Sequence, residues 1–429
     1  MRNFTLLQKH ALISACFVAA LALGGCRSAE GCKQNARAAA PQYDVAAYVW
    51  PAYQNDPRWK ELGIFADGKG EWQNVYEAKP KRAGHRQPLV PLWGYEMDDD
   101  PAAMEKQIDA ASGAGINVFI YDWYWYGGRP FLENALNNGF LGARNNGKMR
   151  FFLMWANHDV NGLWNNKAEL KDKNKTIWSA DVSLAEFKEK LAPRWIAYYK
   201  KPNYSKIDGK PVVSIYEPRN LARGMGGSWA NVREAFEYLD AEAKKAGFKG
   251  VHIMLNSAVN ERAFRQMNLP NKAKASPREI AEYLKFDSFT TYNWVCEIGG
   301  ALSAANDVPY AKWVDLGIST FDKNRAMLPG AQYFPHVSLA WDTNPRFLPK
   351  DYMPTVCGCN PQDFERGLRA AKAWIDKNAR AGQPKLITVN AWNEWTEGCY
   401  LQPDKLRGYG FLNAIARVFG GKERGAECK

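Results

Sequence analysis

The chain has 429 residues, 46% hydrophobic, 24% charged and 13% aromatic, with 17 Trp and a formal net charge of +12. That composition excludes a disordered or low-complexity chain, a collagen-like repeat and a multi-span membrane protein. Lys and Arg are spread without a dense cluster or a nucleic-acid motif, which predicts a solvated surface and no nucleic-acid partner, with an acidic polysaccharide as the second reading.

Residues 1–25 read as an export signal. Arg2 and Lys9 supply positive charge, and Ala11 to Leu23 form an apolar run too short to span a membrane. Leu23-Gly24-Gly25-Cys26 resembles the lipobox of bacterial lipoproteins, so Cys26 is the expected lipid attachment site. The expected location is the cell envelope, periplasmic or at the outer-membrane surface, with the lipid as the only membrane contact. Residues 26–42 are expected to form a tether, 43–420 one catalytic domain and 421–429 a tail. The remaining cysteines lack the C-x-x-C spacing of a zinc site; Cys32 with Cys428 would make a staple, although spacing leaves the pairing open.

Eight apolar runs follow: Val45 to Trp50, Ile116 to Trp123, Arg150 to Trp155, Pro211 to Tyr216, Val251 to Leu255, Phe286 to Thr291, Phe334 to Trp341 and Leu386 to Trp392. They are hydrophobic throughout, as parallel strands buried on both faces are. Amphipathic stretches fit between most of them. Asp100-Pro101 opens a helix with Met104 and Ile108 on one face, and Ser183 to Glu186 forms a capping box before Phe187, Leu191 and Trp195. Ser228 and Asn360 start two more, and Gly410 to Phe419 is the last. Strand and helix alternating in this way predict an α/β fold, a single (β/α)8 TIM barrel with long βα-loop insertions, Pro51 to Asp99 being one on the mouth. An open doubly wound sheet would usually carry a Gly-rich phosphate loop after its first strand, where this chain has Pro51-Ala52-Tyr53-Gln54.

Working residues of such a barrel lie at the C-terminal ends of its strands. Those ends offer Tyr53, Asp122, Tyr124, Trp155, Asn157, His158, Tyr216, Asn256, Tyr292, Trp341, Asp342, Asn393 and Trp395 as candidate substrate-binding residues. Indole and phenol faces stack on the C–H faces of a sugar ring, while Asn, Asp and His bond its hydroxyls. Each Trp alone is more often core packing; the case for a polysaccharide or oligosaccharide substrate rests on convergence.

Glu394 and Glu397 are the sharpest signal. Glycoside hydrolysis needs one group to protonate the departing oxygen and another to act as nucleophile or base. Trp395 between them would raise one pKa by desolvation. A helical turn would bring their β-carbons within about 5–6 Å, and an extended loop would spread the backbones to roughly 10 Å. Retaining and inverting separations are thus both within reach. The structural alternative is a helix-start Glu pair favoured by the dipole. No metal or cofactor is expected: the five His, at 10, 85, 158, 252 and 336, form no H-x-H or H-E-x-x-H pattern, and no nucleophile elbow or dinucleotide fingerprint occurs.

Asn390-Ala391-Trp392-Asn393-Glu394-Trp395-Thr396-Glu397-Gly398 resembles the WbsX-type, glycoside hydrolase family 99-like proteins. Gly70-Glu71-Trp72-Gln73, His85-Arg86-Gln87-Pro88, the Tyr-Trp cluster at 121–126, Trp155-Ala156-Asn157 and Trp341-Asp342-Thr343-Asn344-Pro345-Arg346 agree in order, so the resemblance covers most of residues 45 to 420. It implies a (β/α)8 barrel, adds Glu71 and Trp72 to the substrate-binding set, and gives the Glu pair two roles in a retaining mechanism. Glu394 would deprotonate the substrate 2-hydroxyl, which attacks the anomeric carbon, and Glu397 would protonate the leaving group and then activate water. His158 stands where these sequences commonly have Glu, and Gln402 where an acid commonly precedes Pro-Asp; both would face the substrate, so mannose specificity is not implied. A glycosyltransferase of polysaccharide biosynthesis is the alternative reading, which export opposes because nucleotide sugars are cytoplasmic. A non-catalytic glycan-binding lipoprotein is the third, and it predicts loss of one carboxylate.

Overall fold

Eight parallel strands carry the fold, each inside or overlapping one of the apolar runs. They are β1 (Asp44–Val49), β2 (Val118–Tyr126), β3 (Arg150–Trp155), β4 (Lys210–Ile215), β5 (His252–Leu255), β6 (Ser288–Phe289), β7 in two pieces (Gln332–Tyr333 and His336–Ser338) and β8 (Leu386–Asn390). The computed structural model describes residues 42–264, 268–304 and 307–425, residues 303 and 304 by backbone alone. The export signal, Cys26 and the Cys32–Cys428 pair lie outside the described residues.

Each strand pairs with its sequence neighbour, and β1 also pairs with β8, Asp44 opposite Leu386. The first piece of β7 pairs with β6 and the second with β8, so the seventh strand closes the ring. Pro335 explains the break, because it has no N–H to give to the ladder. The architecture is the (β/α)8 barrel that the alternation predicts.

Among the described residues seven α-helices of eight residues or more surround it: α1 (Pro101–Ala114), α2 (Ala192–Tyr199), α3 (Trp229–Lys245), α4 (Pro277–Leu284), α5 (Tyr310–Met327), α6 (Pro361–Asn378) and α7 (Gly410–Phe419). Their starts are capped locally. Asp100 accepts from the Ala102 amide, Ser228 from Asn231 and Asn360 from Asp363, while Ser276 and Glu279 form a reciprocal capping box. Two departures from the regular repeat have local causes. Between β2 and β3 the chain makes a π-helical segment, Ala135–Phe140, where Asn137-Asn138-Gly139 are poor helix formers. The stretch opened by Ser183 breaks into a short turn and a π segment, Phe187–Leu191, before α2. Pro193 cannot donate to the preceding turn, and the Glu186 carboxylate accepts from the Trp125 indole instead of completing the capping box.

Alternation along β2 sorts its aromatics. Trp123 and Trp155, opposite each other in register, both pack outward on Trp195 of α2, with ring centroids 5.6 and 5.5 Å away. Asp122 and Tyr124 point into the barrel. Asp122 meets Tyr292 from the loop after β6, and the Tyr124 ring lies 5.6 Å from His158.

Candidate active site

After β8 the chain forms a small antiparallel ladder, Asn393–Glu394 with Cys399–Tyr400, closed by a 3-10 turn over Trp395–Glu397. Gly398, at φ 69°, supplies the left-handed residue that ends the turn. In 3-10 geometry residues i and i+3 eclipse one another. Glu394 ends the short strand and Glu397 ends the turn, close enough to act on each other: the Glu397 charge raises Glu394, and the Glu394 carboxyl lowers Glu397. They are 3% and 7% exposed.

One guanidinium serves the pair. Arg346, in the 3-10 turn Asn344–Arg346 after β7, places Nη1 2.6 Å from Glu397 Oε1 and Nη2 3.8 Å from Glu394 Oε1. Its other edge binds Glu71 through Nε at 2.6 Å and Nη2 at 3.1 Å, and it lies over the Trp50 ring. Glu71 also accepts from the Trp50 indole at 2.6 Å. It enters this position because the preceding residue is Gly70, at φ 59°, where a β-carbon would lie 2.2 Å from the Ala52 carbonyl oxygen.

The charge count sets the protonation. Glu71, Glu394 and Glu397 face a single buried Arg346, and buried Asp122 adds a fourth carboxyl that raises Glu394. Burial pushes Glu394 well above the usual carboxylate range, with the Glu397 charge adding to it and Arg346 pulling back. Burial also raises Glu397, against the pull of Arg346. Because Arg346 contacts Glu397 directly and Glu394 only at 3.8 Å, Glu394 is the one of the two that holds its proton more tightly.

Across the barrel, the Tyr292 hydroxyl lies 2.7 Å from Glu394 Oε2 and 3.0 Å from Asp122 Oδ2. Asp122 Oδ1 is buried without a hydrogen-bond partner, and burial pushes its carboxyl well up. Half-buried His158, Tyr216 and Tyr292 line the same mouth edge to face, with His158–Tyr216 and Tyr216–Tyr292 centroids 5.9 and 5.5 Å apart. A polar cavity of about 450 Å³ opens beside His158, and a small one of about 50 Å³ beside Tyr216 and Asn256.

Several residues placed at the site by sequence belong instead to its frame. Trp155 is sandwiched between the barrel and α2. Glu71 is fully buried, with its oxygens taken by Arg346, Trp50 and Asn74. Tyr53 stacks on Trp72 at 3.9 Å and accepts from the Trp395 amide, while the Trp72 indole donates to the Glu96 carbonyl. Trp395 stacks on Tyr400 at 3.7 Å, is closed off from solvent and donates to Gln402, which is itself tied to Gln107. Neither Trp395 nor Gln402 faces a substrate. Asn157 spans the Glu217 amide and carbonyl; Asn393 spans those of Trp50 and reaches Asp98. Asn256 binds Tyr48 and Met154 inside the barrel. Asp342 is held by His85, Gln87 and Asn344 and lines a separate cavity of about 490 Å³, while Trp341, half-buried, bridges to Val356. The residue missed from sequence is Arg346, although it ends a motif already recognised.

Among the described residues no group of three or more His, Cys, Asp or Glu is arranged to hold a metal, and Cys296, Cys357, Cys359 and Cys399 are all free. No helix among them is long and apolar enough to cross a membrane.

The family model described as Glycosyltransferase WbsX matches residues 45–415. Two proteins of Xanthomonas campestris pv. campestris, each called Uncharacterized protein WxcX, are 25% identical over 385 and 383 residues, covering 86% of this chain and 48% of their own length. The chain therefore spans about half the length of these curated relatives. A solved structure titled Glycoside hydrolase-like protein superposes with a TM-score of 0.57 at 14% identity, over 89% of this chain and 94% of the other. An endo-alpha-mannosidase of glycoside hydrolase family 99 from Bacteroides thetaiotaomicron, solved with bis-tris-propane, gives 0.49 at 15% identity over 87% and 95%.

Proposed function

This chain belongs to the WbsX family, and we propose that it is a glycoside hydrolase, cleaving a glycosidic bond in a polysaccharide or complex glycan with Glu394 and Glu397 and with retention of configuration. The observation that carries the reading is the buried pair Glu394 and Glu397 beside a single shared guanidinium, with burial raising both carboxyls and Glu394 the more. An acid and a base are what acetal hydrolysis requires, and two carboxyls close enough to act on each other directly suit the retaining geometry of about 5–5.5 Å better than the wider inverting one.

The resemblance implies Glu394 as the base toward the 2-hydroxyl and Glu397 as the acid, whereas in the free protein Glu394 holds its proton the more tightly. On this reading substrate binding moves that proton to Glu397, leaving Glu394 ionised for the first step. Tyr292 steadies the Glu394 oxygen that is to bear the charge. The transferase reading named by the family fits the electrostatics less well: the site holds more acid than base, and a nucleotide-diphosphate donor would meet repulsion. Export through the signal and anchoring at Cys26 complete the proposal, with the cell envelope as its location.

Digestion of a glycan panel followed by product NMR tests the reading, because linkage and anomeric outcome emerge together. Glu394→Gln and Glu397→Gln should each abolish turnover, and an aryl glycoside of the sugar so identified, with a good leaving group, should restore the first step only in the acid variant. Hydrolysis undiminished in either variant would end the assignment.

A further inference from the structure

The turn that turns Arg346 inward presents its neighbours outward. Pro345 and Phe347 line a cleft of about 560 Å³ between the loops after β1, β3 and β7, in the size range of small-molecule sites, about 300–1,000 Å³. Tyr76 and Phe347 give it aromatic faces, and Lys79, Lys81 and Lys167 give it charge, against Glu77. We propose that this cleft is a subsite for an anionic sugar unit, so that the glycan cut at Glu394 and Glu397 is an acidic polysaccharide, carboxylated or sulfated.

The charge in the cleft is not neutralised from within. Lys79 and Lys167 are exposed and form no ion pair among the described residues. Lys81 is half-buried and donates only to the carbonyls of Phe347, at 3.0 Å, and Asp351, at 2.7 Å. Beneath it Lys173, 2% exposed, donates to the carbonyls of Asn165 and Arg346. Both ammonium groups lie over the Phe347 ring, 5.8 and 5.1 Å from its centre. Burial pulls each down to about 8, as expected of cations solvated by carbonyls instead of paired with acids. The acids that act on these lysines are Glu77, held by the amides of Gln73 and Asn166, Asp342, held by His85, Gln87 and Asn344, and Asp351, whose Oδ2 is buried without a partner. Three lysines line the cleft against one carboxylate, Glu77, which leaves a surplus of positive charge.

The catalytic pair has the opposite surplus, so a charged sugar cannot sit at the scissile bond without repulsion. The cleft accepts it at a distance from the bond, separated from the carboxylates by the Asn344–Arg346 turn. This inference rests on the glycosidase reading for the word substrate, but the binding it asserts is measured without turnover.

Affinity electrophoresis through gels containing polygalacturonate, dextran sulfate or neutral dextran, at about 0.15 M salt so that long-range attraction is screened, is the test. The full chain should be retarded by polygalacturonate or by dextran sulfate, and the polymer that acts tells carboxylate from sulfate; neutral dextran should leave mobility unchanged. Lys79→Gln with Lys167→Gln should weaken that binding about fivefold, the sum of two exposed ion pairs. Lys200→Gln with Lys201→Gln removes the same charge from exposed positions outside the cleft and should change little. Glu394→Gln should still bind. A cleft double variant no weaker than the control pair, or a wild type retarded by neither anionic polymer, overturns the proposal. Binding that holds while no glycan is hydrolysed would instead sink the glycosidase reading and leave the subsite standing.

Discussion

Two sets of buried carboxylates stand within one barrel mouth, and they are treated differently. Glu71 and Asp404 have every oxygen supplied with donors: Glu71 from Arg346, Trp50 and Asn74, Asp404 from Tyr400 and from the Arg407 guanidinium and amide. Glu394, Glu397 and Asp122 share what remains. Asp122 keeps one oxygen bare, and Glu394 relies on the Tyr292 hydroxyl and a long bond from the Asn390 amide, with Arg346 at arm's length. A satisfied acid is part of the frame. An undersupplied one in the same surroundings retains a proton, and a retained proton beside a charge is what acid–base chemistry uses.

The largest expected effect separates the two sets. Glu394→Gln or Glu397→Gln should lower kcat by about 10³-fold while leaving thermal stability unchanged or higher, since each removes an acid that burial disfavours. In the wild type the rate should hold to a pH well above the ordinary carboxylate range, because the proton on Glu394 is retained there; a pH–rate profile checks this, and the alkaline limb should vanish in the Glu394 variant. Next comes the shared cation. Arg346→Met strands Glu71 and Glu397 without a counter-charge and should cost about 3 kcal/mol in urea unfolding. If it costs nothing, the satisfied set is not held as described.

Glu297 sharpens the contrast from outside the mouth. It accepts from Asn324, its second oxygen is buried without a partner, and burial raises it to about 7. The folded protein therefore binds a proton that the unfolded chain has lost, and stability should fall as pH rises from about 4.5 to 7, by about 2 kcal/mol. Glu297→Gln should flatten that slope and leave kcat unchanged, which denaturant titrations at several pH values would show. The smallest effect belongs to Tyr292→Phe: removing one hydroxyl from Glu394 should lower kcat about tenfold, with KM little changed.

The strands were legible because a parallel strand buried on both faces is written as an unbroken apolar run. The helices were legible where a cap announced them, at Asp100, Ser228 and Asn360. The π segments were not, since propensity describes which residues favour a helix and says little about a Pro193 met ten residues past a good cap. At the site, Glu394, Glu397 and Asp122 could be found from strand ends. Trp155 could not be rejected without the register that sets it opposite Trp123 and outward; parity along β2 would have warned of it. Arg346 escaped because its partner Glu71 is 275 residues away, and no local pattern records a contact of that span.

That span has a further consequence. Arg346 joins a loop after β1 to a turn after β7 and to the motif after β8, and β1 lies against β8 in the sheet. Contacts so remote in sequence form late, because their loop-closure entropy must be met before they contribute. A partly folded chain carries these acids in water as ordinary ionised groups. The reactive pair comes into being only when the first and last strands meet, so hydrolytic competence should appear in a refolding experiment after secondary structure has already returned.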